Sequence, residues 1–296
     1  DFGYNADIIA GFQAQYDTDV DPRTLASGSE MWRNWCKFRE EIINSFVKEV
    51  YDLVREINPE IWISCACGPD LANTPTTIYQ NCRDWVANGW MDEVFSMSYS
   101  AGLNYPIENG QLFMRAIGDD AFYSVGLSAF GTTERDVLLA QTDGCYRVGC
   151  NGVNFFSWGS LFQHEEGYEA ALTASVYRDK AVQTYALNRM LKAGADALSG
   201  KLERVYGVFA PENAALYEAL KPLLAAVSER ADALAEDATF AERLAYCEAE
   251  LESLDSILNV VEEKGEGTAA AESIRTELER LAKYLRQSRS RLSDRV

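Results

Sequence analysis

The sequence has a single histidine, His164, and its seven cysteines (Cys36, Cys65, Cys67, Cys82, Cys145, Cys150 and Cys247) include no CxxC pair. Ligand spacing of the zinc type is therefore missing, and neither a metal nor any other cofactor is expected. An odd number of cysteines is also a poor disulfide framework, so mostly buried free thiols are expected. Basic residues are scarce. The 27 Lys and Arg face 46 Asp and Glu, a net charge of -19, which argues against nucleic acid as a partner, because that binding is driven by cationic side chains displacing counterions. It argues equally against an anionic membrane surface. No stretch approaches the roughly 20 consecutive apolar residues that span a bilayer, so membrane insertion is not expected. Neither methionine nor a signal peptide opens the chain at Asp1, which suggests a processed product or a fragment.

What is present is a repeat. Four segments read as buried strands: 61–67 "IWISCAC", 93–100 "EVFSMSYS", 122–130 "FYSVGLSAF" and 152–158 "GVNFFSW". Their centres lie about thirty residues apart, the length of a βα unit. Helical patterns separate them, with Ile78, Cys82, Trp85 and Val86 on one stripe and Val137, Leu138, Ala140 and Gln141 in a later one. The later helix is expected to open with a capping box at Thr132 or Thr133. A long helix over 30–57 comes before the first strand, with Trp35, Phe38, Ile42, Phe46, Val50 and Leu53 at helical spacing. It stops at Asn58-Pro59, since proline cannot continue it.

Alternating strands and helices, with the strands apolar on both faces, predict a parallel sheet covered by helices. An open doubly wound sheet and a (β/α)8 barrel compete. No strand leads into a Gly-rich phosphate loop, which weakens the first. Ser98, Tyr99, Ser157 and Trp158 gather at the carboxyl ends of strands, which suits a barrel mouth. Only four strands are visible and a barrel needs eight. The expected fold is therefore α/β, the C-terminal half of a (β/α)8 TIM barrel with four parallel strands, over residues 1–205.

Residues 206–296 change character: glycine becomes rare and Ala, Leu and Glu dominate. Three helices are legible, at roughly 211–236 (with a bend at Pro222), 240–261 and 274–292. Leu244, Cys247, Leu251, Leu254, Leu258 and Val261 alternate by four and three, the spacing of a lateral seam. A three-helix antiparallel bundle is expected, with self-association through the same seams as the other option. Arg286, Arg289, Arg291 and Arg295 read as solvated charge near the last helix's carboxyl end.

The order of four segments carries a resemblance: "DFGYN", then "FQAQYDTDVDPRT", then "WRNWCKFREEIINSFVKEVYDLVREINPEIWISCA", with "DWVANGWMDEVFSMSYS" and "GVNFFSWGSL" further on. Over residues 1–165 the chain resembles the glycoside hydrolase-like TIM-barrel family related to family 10 glycosyl hydrolases. In that family an Asp-x-x-Arg-Tyr-Pro segment ends strand four and a loop like "DFGYN" follows. Strand six ends in Pro-Met-x-Tyr or Pro-Gln-x-Tyr; here Met97 and Tyr99 match, while Ser96 replaces the proline. "GVNFFSWGSL" resembles its strand eight. The resemblance implies hydrolysis of O-glycosidic bonds in a polysaccharide, with cell-wall glycan the first guess, and a secreted or cell-envelope location. The alternative is a barrel that binds glycan without cleaving it, held to a partner by its helical tail.

Glycoside hydrolysis normally uses two carboxyl groups flanking the bond. By the resemblance the family's strand-four Asp falls upstream of residue 1, which leaves Asp1 and Asp70 as the catalytic candidates in this chain. Asp70 has a competing reading as a loop or helix cap. Glu134 reads as part of a cap, Glu165 and Glu166 beside His164 as surface charge, and Asp92 and Glu93 as structural groups at the inactive face. Trp158 is the leading sugar platform, offering a flat apolar face to a pyranose, against a reading as packing inside the barrel. Tyr99, with Met97 beside it, is a substrate-binding candidate whose hydroxyl can donate to a sugar or a carboxylate. Tyr4 and Asn5 bind substrate or anchor their loop. Cys65 and Cys67 have no adjacent histidine to make either a nucleophile.

Overall fold

The structure, a computed structural model, describes residues 3–130, 133–163, 167–177, 182–265 and 267–296. The elements run α1 (Ala6–Gln15), α2 (Glu30–Ile57), β1 (Ser64–Cys67), α3 (Thr74–Thr77), α4 (Cys82–Ala87), β2 (Glu93–Ser96), α5 (Asn104–Ile117), β3 (Phe122–Ser128), α6 (Arg135–Arg147) and β4 (Gly152–Phe156). They continue with α7 (Trp158–Gln163), α8 (Tyr168–Ala174), α9 (Leu187–Lys201), α10 (Gly207–Phe209), α11 (Ala214–Ala233), α12 (Phe240–Gly265) and α13 (Ala269–Ser293).

The four strands form one sheet in the order β1-β2-β3-β4. Every neighbouring pair is parallel, and Val94 stands opposite both Cys65 and Tyr123. Side chains alternate across a strand, so Cys65, Cys67, Val94, Tyr123, Val125 and Leu127 share one face. That face is the core: it packs on Trp85 and Val86 of α4, Phe113, Met114 and Ile117 of α5, and Leu138 and Cys145 of α6. Ile43, Val47, Tyr51 and Val54 of α2 close over the same cluster. The opposite face carries Ser64, Ala66, Phe95, Ser124, Gly126, Ser128, Asn154 and Phe156. β3 is buried along its whole length, while the edge strands β1 and β4 expose Ser64, Ala66, Asn154 and Phe156 on this second face.

α2 starts where Ser29 Oγ accepts from the Trp32 amide (3.1 Å) and ends at Asn58, before Pro59. Its first turns hold α1 through Phe12, which lies edge-on to Trp35 and Phe38.

Helices α9, α11, α12 and α13 share a second core, with Leu191, Leu198, Leu216, Leu220, Leu254, Ile257, Leu278 and Leu285 fully enclosed. Four long helices thus fill the layer where three were expected; the seam of α9, built on Leu187, Leu191 and Leu198, joins the other three. Pro222 sits inside α11.

The expectation that the last arginines are solvated needs correction. α13 runs beneath the amino ends of the strands, where Gln287 Nε2 donates to the Ala121 carbonyl (2.8 Å) and Gln287 Oε1 accepts from Asn151 (2.8 Å). Arg291 Nη1 donates to the Gly89 and Met91 carbonyls (3.2 and 3.1 Å). Arg295 pairs with Asp92 (2.7 Å) and Arg286 with Asp119 (2.7 Å). Only Arg289 of the four is exposed. Strand ends collect unpaired carbonyls and carboxylates, and a helix laid across them places its basic face there.

Candidate functional site: an aromatic platform at the carboxyl edge of the sheet

The chain leaves β2 through Ser96, Met97, Ser98 and Tyr99. Ser96 Oγ lies 2.7 Å from Ser98 Oγ and 2.6 Å from the Tyr123 hydroxyl, and Asn109 of α5 donates to Ser98 Oγ (2.7 Å). This buried chain of hydroxyls draws Ser98 inward, so the next residue, Tyr99, turns out. The following loop is fixed by Gln141 Nε2, which donates to the carbonyls of Ser100 (3.0 Å) and Gly102 (2.8 Å).

Tyr99 stacks on Phe156, the last residue of β4, with centroids 5.6 Å apart and planes 28° from parallel. Phe130, just past β3, meets Phe156 edge-on at 5.6 Å. Trp158 follows two residues after Phe156 and rests on Phe162 (4.3 Å). These rings are open to solvent: Trp158 is 77% exposed, Phe156 52%, Phe130 41% and Tyr99 38%. Trp158 therefore does not pack inside the sheet. It is also not a strand residue, since β4 ends at Phe156 and Trp158 opens α7. Burial holds the Tyr99 phenol above its ordinary pKa, so at neutral pH it is a neutral group able to donate one hydrogen bond and accept another.

Met97 is half-buried beneath this edge, its amide donating to the Cys67 carbonyl (2.9 Å). Asp70 keeps to its own loop: its carboxylate accepts from the amides of Ala72 (3.0 Å) and Asn73 (3.1 Å) and from Asn73 Nδ2 (2.7 Å). The Asn73 side chain and amide hold its pKa below the usual carboxylate range. A carboxylate ionised in this way caps a turn and is poorly suited to protonate a leaving group. Tyr4 rests against Trp35 (5.3 Å) with the Arg39 guanidinium 4.9 Å above its ring; the same guanidinium lies 3.9 Å from the Tyr79 ring. Asn5 caps α1 through its backbone and is exposed. Tyr4 thus holds the N-terminal segment on α2, and no ring contact or hydrogen bond among the described residues joins Tyr4 or Asn5 to Tyr99. Asp1 lies outside the described residues, as do Thr132, His164, Glu165 and Glu166. Glu134 precedes α6 without a side-chain cap, and the Thr133 hydroxyl turns to the Ser100 carbonyl (3.5 Å), so Thr133 forms no capping box.

Cys65 is half-buried and the other six thiols are buried, all unpaired. Burial pushes the Cys65 thiol up to about 12, too high for a thiolate nucleophile at neutral pH. No group of three or more His, Cys, Asp or Glu stands close enough to hold a metal ion among the described residues.

Of the seven candidates, Tyr99 and Trp158 fall on one edge with Met97 beneath it. Phe156 and Phe130 complete the platform and were missed from the sequence. Strand alternation would have found Phe156, because it continues the parity of Gly152 and Asn154 onto the open face. Set against known proteins, the chain matches no family model, no curated protein and no solved structure.

Proposed function

We propose that the carboxyl edge of the sheet binds a glycan on Tyr99, Phe156 and Trp158, and that the chain is half of a (β/α)8 barrel of glycoside hydrolase type acting on the O-glycosidic bonds of a polysaccharide. The observation that carries this reading is the stacked, exposed Tyr99–Phe156 pair, with the exposed Trp158 two residues further along the chain. Three large rings held open to water at the carboxyl ends of parallel strands offer flat apolar faces where barrels place their sites. The half-barrel reading is supported by the strand order 1-2-3-4, with all neighbours parallel.

Binding without cleavage is the second reading. What favours it is the duty of Asp70 as a turn cap, which leaves no pair of carboxylates at this edge among the described residues, whereas hydrolysis uses two.

A panel of soluble polysaccharides, read by affinity electrophoresis and by release of reducing ends, separates the readings. Retention is expected, and Trp158→Ala or Tyr99→Ala should each weaken it about fivefold, the worth of one aromatic contact of about 1 kcal/mol. Reducing ends released in step with retention would support hydrolysis; retention alone supports the binding module. A chain retained by no polysaccharide, or one indifferent to both substitutions, would sink the glycan reading.

A further inference from the structure

At the other pole of the sheet a cleft of about 260 Å³ opens between the start of β1 and helices α12 and α13. Arg243, Arg291 and Arg295 line it together with Glu60, Trp62, Tyr185 and Ser288. Arg55 stands behind, sharing Asp92 with Arg295: Arg55 Nη2 is 2.9 Å from one carboxylate oxygen and Arg295 Nη2 is 2.7 Å from the other. The Ile63 amide also donates to that carboxylate (2.8 Å). Arg243 pairs with Glu60 (2.9 Å) and Arg291 with Asp294 (2.8 Å). Among the described residues these four guanidiniums thus pair with three carboxylates, which leaves one positive charge over in the cluster.

The surplus has a location. The two Nη groups of Arg291 are spent on two carbonyls, Ser290 and Asp294, while its buried Nε has no partner among the described residues. Among the described residues Arg295 hydrogen-bonds to Asp92 alone, although its side chain is just 5% exposed. Arg243, among the same residues, hydrogen-bonds to Glu60 alone. A guanidinium carries five N–H donors, so Arg243 and Arg295 retain donors without an acceptor among the described residues. Burial, with Arg55 and Arg291 adding repulsion, pulls the Arg295 pKa below its ordinary value in spite of Asp92. The chain's overall charge of -19 does not cancel this locally, because charges beyond about 8 Å are screened at physiological salt.

We propose that this cleft is a binding site for phosphate or a small phosphate monoester, held by the free donors of Arg243 and Arg295. A tetrahedral oxyanion offers several acceptors to two guanidinium forks at once. A halide, with no directional acceptors, cannot use the forks in this way. Trp62, Tyr185, Leu187 and Leu292 give the cleft an apolar wall against which the organic part of a monoester would lie.

The test is thermal unfolding of the full chain in inorganic phosphate and in chloride at matched ionic strength and pH, with calorimetric titration of phosphate alongside. A ligand that binds the folded state raises the unfolding midpoint as its concentration passes Kd. Wild type should gain more from phosphate than from chloride, and Arg243→Ala should lose most of that difference. Arg243 is partly exposed, so the variant is expected to fold, and comparing salts within each variant removes its own stability change. Glu60→Gln frees Arg243 from its competing carboxylate and should tighten phosphate several-fold. Equal midpoints in the two salts for both wild type and Glu60→Gln would overturn the site, as would a full phosphate increment in Arg243→Ala.

Discussion

The ring of Tyr99 lies over Gly126 of the neighbouring strand: a β-carbon at 126 would come 3.4 Å from Tyr99 Cε1 and 2.5 Å from the Ser96 carbonyl oxygen. Glycine is needed there because two things approach at once, the backbone of β2 and the ring that returns over it. Gly126→Ala should therefore cost about 1–3 kcal/mol, the range for overpacking a buried site. It should also displace Tyr99 from Phe156. Urea unfolding reads the first effect and the loss of glycan retention the second. An alanine variant with unchanged midpoint and unchanged retention would show that the close approach does not position the ring.

Asp92 ties the two layers together. It is 1% exposed and pairs with two guanidiniums, Arg55 from α2 and Arg295 beyond α13, while accepting the Ile63 amide. Asp92→Asn preserves the shape and an acceptor for Ile63 but leaves both arginines with no carboxylate. Removing one partner of a buried pair costs about 3–5 kcal/mol because a desolvated charge remains. The expected result is a urea midpoint lowered by an amount of that size, larger than for Lys48→Ala, whose partner Asp52 is exposed. A comparable loss in the two variants would mean that the Asp92 junction is solvated.

Thiol chemistry gives a direct measure of the core. Six of the seven cysteines are buried and none is bridged; burial lifts Cys247, like Cys65, to about 12. An aromatic disulfide reagent at neutral pH should titrate at most Cys65 rapidly in the native chain, and all seven thiols after denaturation. Rapid reaction of several thiols would contradict the packing of β1 against α4 and of α6 against the sheet.

The layout of sheet and helices was legible because its signal is local. Runs such as "FYSVGLSAF" alternate with helical stripes at a steady interval, and each element's own residues decide its type. Element ends were less legible, because they depend on partners remote in sequence. The first strand was expected from Ile61, yet the Ile63 amide is taken by the Asp92 carboxylate and the ladder starts at Ser64. The second was expected to run to Ser100, yet β2 ends at Ser96, because Ser98 is drawn into hydrogen bonds with Ser96 and Asn109. The arginines of α13 carried no signal of their contacts, since charge alone does not say which carbonyls a side chain will reach. In the candidate site, Tyr99 and Trp158 stood out as aromatics at strand ends. Phe156 was hidden inside an apolar run that also serves the core.

Glu93 gives the stability of the sheet a dependence on pH. It sits on the second face of β2, accepting from Ser124 Oγ (2.8 Å) and Thr184 Oγ1 (3.1 Å), and burial raises its pKa above the ordinary 4.5 despite those donors. The folded chain therefore holds this proton more tightly than the unfolded chain. Below pH 4.5 both states are protonated and the stabilisation is complete. As pH rises past 4.5 the unfolded chain releases its proton first, and this contribution is lost until pH passes the raised folded value. Glu93→Gln keeps an acceptor for Ser124 and removes the titration. The variant should unfold at a higher temperature than wild type at pH 7, and the gap should close as pH falls through 4.5. Thermal unfolding of both proteins across that range checks the sign: a gap that widens on acidification would mean that the ionised carboxylate, not the protonated one, fits this site.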